Sequence, residues 1–332
     1  METCCSRIRR EEGDIMQLTG RWMREIMVDL LLEEAEKNEK LCYLEADLML
    51  ASGTHEFKNR FPERMVNVGV AEANLISVAA GLSVSGMIPF THTFTAFSTR
   101  RCCDQITISV SYAKNNVKII GSDPGITAML NGGTHMSMED VAIMRNIPGM
   151  TVVEPVDGVS LAGLFPQIVD HDGPVYLRLL RREAPIVYEE GATFELGKAN
   201  VLKEGGDIAI IASGIMVHEA IIASEMLAEE GISATVIDMH TIKPFDNEAV
   251  IEAAKKTGAI VTAENHNILN GLGSAVAECL GENYPVPMKR VGVKDHFGEV
   301  GMQDFLAEKF GLKAKNIVDS CREVLAKKEK KA

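Results

Sequence analysis

No stretch of this 332-residue chain reaches the ~18 consecutive apolar residues that a membrane span requires, and none is expected to cross a bilayer. The opening segment, METCCSRIRREEGD, mixes charges and lacks the apolar run of a signal peptide. Basic residues are outnumbered, 34 Lys and Arg against 47 Asp and Glu, giving a net charge of −13. A chain that acidic has no general attraction for nucleic acid or an anionic membrane surface, although a local basic pocket stays compatible with it. The seven cysteines include two adjacent pairs, Cys4-Cys5 and Cys102-Cys103, and no C-x-x-C spacing. That excludes a zinc knot or disulfide framework and fits the reducing cytoplasm.

Nucleotide and hydrolase signatures are missing as well. No G-x-x-x-x-G-K-[ST], H-E-x-x-H or G-x-S-x-G occurs, and the eight histidines are scattered. "GLGSAV" (271–276) has two glycines of a dinucleotide fingerprint without the third, and a loop separates it from the preceding strand.

What is present is a repeated alternation of short apolar strands and amphipathic helices, the pattern of a mostly parallel α/β sheet. A helix is predicted from Arg21 to Lys37, followed by strand-like runs such as LCYLEADL, MVNVGV, IPFTHTF and NVKIIGSD. The pattern turns polar and glycine-containing over 186–205, then restarts with DIAIIASG, ISATVIDM and AIVTAENH. The expectation is therefore two α/β domains: a charged leader over 1–16, a first domain over 17–185, a linker over 186–205 and a smaller domain over 206–328. The lysine-rich end, AKKEKKA, reads as a solvated charged terminus.

Several residues invite a chemical reading. Glu72 places an ionisable group in "NVGVAEANLISVAAGL" (67–82), where a buried strand gives way to a buried helix. It either compensates the helix dipole or acts as a desolvated acid that exchanges a proton with a cofactor. Phe94 and Phe97 sit three apart and fit either a core stripe or an aromatic platform. His135 stands in the glycine-rich loop "NGGTHMSMED", structural or functional. "PVYLRLLRR" ends an apolar strand with Arg178, Arg181 and Arg182, where open α/β sheets bind ligands and where a guanidinium suits phosphate or carboxylate.

Taken in order, the motifs "NVGVAEANLISVAAGL", "IPFTHTFTAFSTRRCCDQI", "GGTHMSMEDVAIMRNIPGMTVVEPVD", "GPVYLRLLRR" and "DMHTIKPFD…VTAENHNILNGLGSAVAE" resemble the C-terminal half of transketolase, over about residues 20 to 325. They are closest in kind to the separate C-terminal subunit of bacterial split transketolases. The resemblance implies a pyrimidine-binding domain followed by a transketolase C-terminal domain. It implies thiamine diphosphate with Mg²⁺ or another divalent cation as cofactor, and transfer of a two-carbon ketol unit between phosphosugars, as in pentose phosphate metabolism. Glu72 then falls on the acid that shares a proton with N1′ of the aminopyrimidine, and Phe94 and Phe97 on the aromatics lining the pyrimidine pocket. His135 falls on the histidine that contacts donor hydroxyls. Arg24, Arg181 and Ser52 fall on the substrate-phosphate contacts, with Arg101 and Arg145 near the site.

Two departures from that family stand out. Asn131 occupies a place where transketolases usually carry an acid that reads the donor hydroxyl. The G-D-G…Asn motif that holds diphosphate and metal is absent from this chain, so half of an active site is expected here. The other half would belong to an N-terminal partner subunit, two copies of each chain forming a heterotetramer. An oxo-acid dehydrogenase beta subunit and a non-catalytic regulatory subunit of the same fold stay open as alternatives. His266 in "ENHNIL" reads as structural or interfacial.

Overall fold

The structure is a computed structural model and describes residues 16–330. The leader expected over 1–16 lies outside the described residues except for Met16. The chain begins with helix α1 (Met23–Lys37) and strand β1 (Leu41–Glu45), followed by short helices α2 (Met49–Ser52) and α3 (His55–Arg60). Next come β2 (Met65–Asn67), α4 (Glu72–Val84), β3 (Ile88–Phe94) and the short α5 (Thr95–Ser98) and α6 (Cys103–Gln105). A π-helical segment over Ile106–Tyr112 leads to β4 (Lys118–Ser122) and a 3-10 segment over Gly125–Asn131. This half closes with α7 (Asp140–Asn146), β5 (Thr151–Val153), α8 (Gly158–Asp170) and β6 (Val175–Leu179).

The second half runs through β7 (Asn200–Lys203), β8 (Ile208–Ala212), α9 (Met216–Glu229), β9 (Ala234–Asp238) and β10 (Thr241–Lys243). It ends with α10 (Asn247–Thr257), β11 (Ile260–Asn267), α11 (Leu272–Asn283), β12 (Met288–Val293), α12 (Gln303–Phe310) and α13 (Ala314–Glu329). Among the described residues no helix is long and apolar enough to cross a membrane.

Two sheets form, in the orders β10-β5-β6-β4-β3-β1-β2 and β12-β11-β8-β9-β7. All pairings are parallel except β10 with β5 and β7 with β9. Each sheet is covered on both faces, as parallel sheets must be. In the first, α1 and α8 bury Met27, Leu31, Leu164 and Phe165 on one side, and α4 and α7 bury Leu75, Ile76, Val141 and Met144 on the other. In the second, α9 and α13 cover one face, and α10 and α11 the other.

Three details differ from the sequence reading. The stretch 186–205 is not all linker, because Asn200–Lys203 pairs with β9 as an edge strand. Strand β10 lies in the second half of the chain yet completes the first sheet, Thr241 opposite Val153. The lysine-rich end is not wholly solvated: α13 continues to Glu329, packs Ile317, Val318, Cys321 and Val324 inward, and Lys328 Nζ donates to the carbonyl of Thr257 at 2.7 Å.

A buried ionic knot fastens the two halves. Tyr176 and Arg178 share one face of β6, as residues two apart on a strand do. Both reach Asp140, the Tyr176 hydroxyl at 2.8 Å and Arg178 Nε at 2.6 Å. Arg178 also pairs with Glu154 and donates to the carbonyl of Asn265, on β11 of the second sheet, at 2.8 Å. Burial pushes the Asp140 carboxyl up, but the Arg178 guanidinium overrides it and leaves that group below the ordinary carboxylate range. Asn265 and His266 complete the junction: the amide nitrogen of Ile126 donates to Asn265 Oδ1 at 3.0 Å, and that of Ala142 to His266 Nε2 at 3.3 Å. Replacing Arg178 by Met leaves two carboxylates buried without their cation. The expected loss is about 3–5 kcal/mol in urea unfolding, and a change below about 1 kcal/mol would contradict the knot.

Candidate active site

The chain leaves β1 for β2 on one side and returns through α4 to β3 on the other, so strand order reverses at β1. Open parallel sheets bind ligands at such switch points, beyond the carboxyl ends of the strands. The loops there carry most of the residues singled out from the sequence.

Helix α4 begins at Glu72 because Gly69, at φ 72°, breaks the strand and Ala71, at φ −148° and ψ 68°, is not yet helical. No side chain caps this helix start. Glu72 is 5% exposed, and its carboxylate accepts from Arg101 Nη1 at 2.7 Å. The Arg101 guanidinium lies over the Phe97 ring, 3.8 Å from its centre, while its side chain is 45% exposed. The slot between Glu72 and Phe97 thus holds a planar group that bears N–H donors. An aminopyrimidine is likewise planar, and its ring nitrogen can share a proton with the carboxyl once the half-exposed arginine swings aside.

From Phe97 the contacts continue without a break. The His135 ring sits edge-on to Phe97 at 4.9 Å and to Phe94 at 5.9 Å. Its Nδ1 is 2.9 Å from the Thr134 hydroxyl, and Arg100 holds the same loop by donating to the carbonyl of Thr134 at 2.8 Å. Glycine is required at 133: a Cβ there would lie 2.3 Å from the carbonyl oxygen of Gly298, in the second domain. Asn131 stands exposed at the end of the 3-10 segment, four residues ahead of His135. Around it Leu130, Phe297, Val300 and Met302 expose more than half of their surface, an apolar rim of the kind that marks an interaction site.

On the far side of Phe94, the Arg181 guanidinium lies 5.5 Å from the ring centre. Arg181 Nη2 pairs with Asp123 Oδ2 at 2.8 Å. Arg24, over the Trp22 ring at 4.3 Å, donates to the carbonyl of Ala51 at 2.6 Å. Burial, and after it the field of Arg181, lowers the Arg24 pKa, as two guanidiniums facing one pocket require. These side chains join Glu72, at one end, to a cationic pocket at the other.

Two residues singled out from the sequence make their contacts within the protein. The Ser52 hydroxyl is buried, donates to the carbonyl of Leu48 at 3.0 Å and meets the Thr54 hydroxyl at 2.9 Å. A short helix of four residues needs its own side chains to satisfy its carbonyls. Arg145 turns to the second domain, pairing with Glu278 and donating to the carbonyl of Asn270 at 3.3 Å. It lines an interdomain groove of about 950 Å³.

The sequence reading also missed two pocket residues, Asp123 and His92. Asp123 follows β4 with a left-handed backbone, φ 56°, a conformation that residues other than glycine adopt at some cost and that clusters at functional sites. His92 lies two residues before Phe94, and its Nδ1 is 2.8 Å from the Tyr43 hydroxyl. The signal that could have found both is their place at the carboxyl ends of adjacent strands.

The comparisons with known proteins agree with this geometry. The transketolase pyrimidine binding domain model matches residues 21–186, and the transketolase C-terminal domain model matches 197–317. The chain belongs to the transketolase family. It is 62% identical over 313 residues, 94% of this chain and 97% of the relative, to the 6-deoxy-6-sulfo-D-fructose transketolase subunit SqwH of Clostridium sp. (strain MSTE9). It is 41% identical, over 94% of its length and 100% of the relative's, to a putative transketolase C-terminal section of Methanocaldococcus jannaschii. A solved structure described as a split gene transketolase, inactive beta4 tetramer, superposes with a TM-score of 0.87 at 44% identity, covering 92% of this chain and 99% of that one.

Burial, followed by the field of Arg181, pushes His92 down to about 3. Its imidazole is therefore expected to show no titration between pH 5 and 8 by ¹⁵N NMR, and a midpoint near 6.5 would contradict its burial. Because the unfolded chain binds this proton first, the histidine costs stability as pH falls from about 6.5 toward 3.

Proposed function

We propose that this chain is the C-terminal subunit of a two-chain, thiamine diphosphate-dependent transketolase that moves a two-carbon ketol unit from a ketose with an anionic terminus to an aldose. The observation that carries this reading is the unbroken run of contacts from Glu72, across Phe97, His135 and Phe94, to Arg181. One end suits an aminopyrimidine and the other an anion, with a histidine between them.

Bound thiamine diphosphate supplies a nucleophilic carbon and an electron sink. Glu72 holds a proton at the pyrimidine ring nitrogen, and its burial keeps water from competing for it. Phe94 and Phe97 wall the ring. His135 reaches the hydroxyls of the donor sugar, fixed by Thr134 and the Phe97 edge. Asn131 offers an uncharged amide to the same hydroxyls. Arg24 and Arg181 hold the anionic terminus and fix how far the sugar carbonyl extends toward the cofactor.

Diphosphate and a divalent cation such as Mg²⁺ fall to an N-terminal partner subunit, since this chain has no G-D-G followed by Asn. The exposed apolar rim around Leu130 and Phe297 suits a covering partner, in a heterotetramer that works in the cytoplasm. The inactive tetramer named for the solved relative is consistent with C-terminal chains that need a second polypeptide. The sulfosugar in the name of the 62% identical relative favours a sulfonated ketose as donor.

In the reconstituted complex, Glu72→Gln is expected to lower ketol transfer by about 10²–10⁴-fold while leaving assembly intact. Unchanged turnover would move the reading to a non-catalytic subunit of the same fold.

A further inference from the structure

We infer that Asp123 sets the charge of the anion pocket, making the Arg24–Arg181 pair select a singly charged sulfonate over a doubly charged phosphate. This rests on the proposed reading of that pocket as the seat of the ketose's anionic end, and it names the residue that chooses the substrate class.

Asp123 is 1% exposed, and its 2.8 Å pairing with Arg181 lacks hydrogen-bond geometry. Both of its carboxylate oxygens, Nε of Arg24, Nε of Arg181 and Nε2 of His92 are buried without hydrogen-bond partners among the described residues. Native structures leave few buried polar atoms unsatisfied, and here five belong to four side chains coupled to one another through Arg181. Such a cluster calls for a polar occupant.

The charges around that occupant come from four elements. Arg24 and Glu25 lie on α1, His92 on β3, Asp123 after β4, and Arg181 and Arg182 after β6. Glu25 and Arg182 stand at the solvent edge, where water screens them. Burial keeps His92 neutral. Burial raises the Asp123 carboxyl, and the guanidiniums of Arg181, Arg182 and Arg24 draw it back down. With Asp123 ionised, the enclosed part is two guanidiniums and one carboxylate, a net charge of +1 that a single negative charge neutralises. A sulfonate carries one charge at any working pH. A phosphate monoester carries about −1.5 to −2 at pH 7, because its second pKa lies near 6. The extra charge would face a buried carboxylate in a medium of low dielectric, where repulsion over a few ångströms is worth about ten-fold or more in binding.

The test uses the holoenzyme reconstituted with its partner, comparing ketol transfer from 6-deoxy-6-sulfofructose and from fructose 6-phosphate to one aldose acceptor. The wild type should favour the sulfosugar. Asp123→Asn should cut that preference in kcat/KM by about ten-fold or more, chiefly by lowering KM for the phosphosugar, while Asp123→Glu keeps it. A second measurement needs no variant. In the wild type the preference should rise about ten-fold from pH 5.5 to 7.5 as the phosphate gains its second charge, effects on the shared chemistry cancelling in the ratio. A preference unmoved by Asp123→Asn, or flat with pH, overturns the inference. Absence of transfer from both sugars in the wild type overturns the functional reading itself, and this inference with it.

Discussion

The Arg178 guanidinium, wholly buried, is the interaction on which the arrangement depends. It joins β6 to Asp140 at the start of α7, to Glu154 after β5 and to the backbone of β11 in the other sheet. Asp140 follows the loop that carries His135, and Arg181 lies three residues beyond Arg178. The same ion cluster therefore fixes the height of the His135 loop and the direction of Arg181. A buried cation is costly unless every donor is used, and this one meets two carboxylates and a carbonyl.

On that frame the site is a gradient of charge along one edge of the first sheet. At one end a buried carboxylate pairs with Arg101 at a helix N-terminus. At the other, guanidiniums crowd together and a buried aspartate moderates them. Two phenylalanines and a histidine span the interval and give it a flat wall. The second domain contributes from above: Gly298 packs on Gly133, and Asn265 clamps the loop that leads to Asp123's neighbours. The C-terminal domain is thus part of what positions the site.

Much of this could be read in the sequence because it was local. The apolar runs of β1, β3, β4 and β11 and the helical face of α4 announce themselves within a few residues. Glu72 was visible as an acid out of place. What escaped depended on distant partners. Strand β10 is three residues long, and only its pairing with Val152 and Val153, some ninety residues earlier, makes it a strand. "PVYLRLLRR" gives no sign that Arg178 turns into the interior while Arg181 stays at the pocket, until Asp140 and Glu154 are placed in space. Ser52 looked available because its short helix was not foreseen, and Arg145 because Glu278 lies in the other domain. His92 lay inside the "IPFTHTF" run and Asp123 at the end of "NVKIIGSD", and neither drew notice until their neighbours were placed in space.

This polypeptide is proposed to hold half of a thiamine site. The most direct measurement is calorimetric titration of thiamine diphosphate with Mg²⁺ into this chain alone, into its N-terminal partner alone and into the two together. Tight binding is expected only when both chains are present. Binding by this chain alone with the affinity of the assembled pair would contradict it.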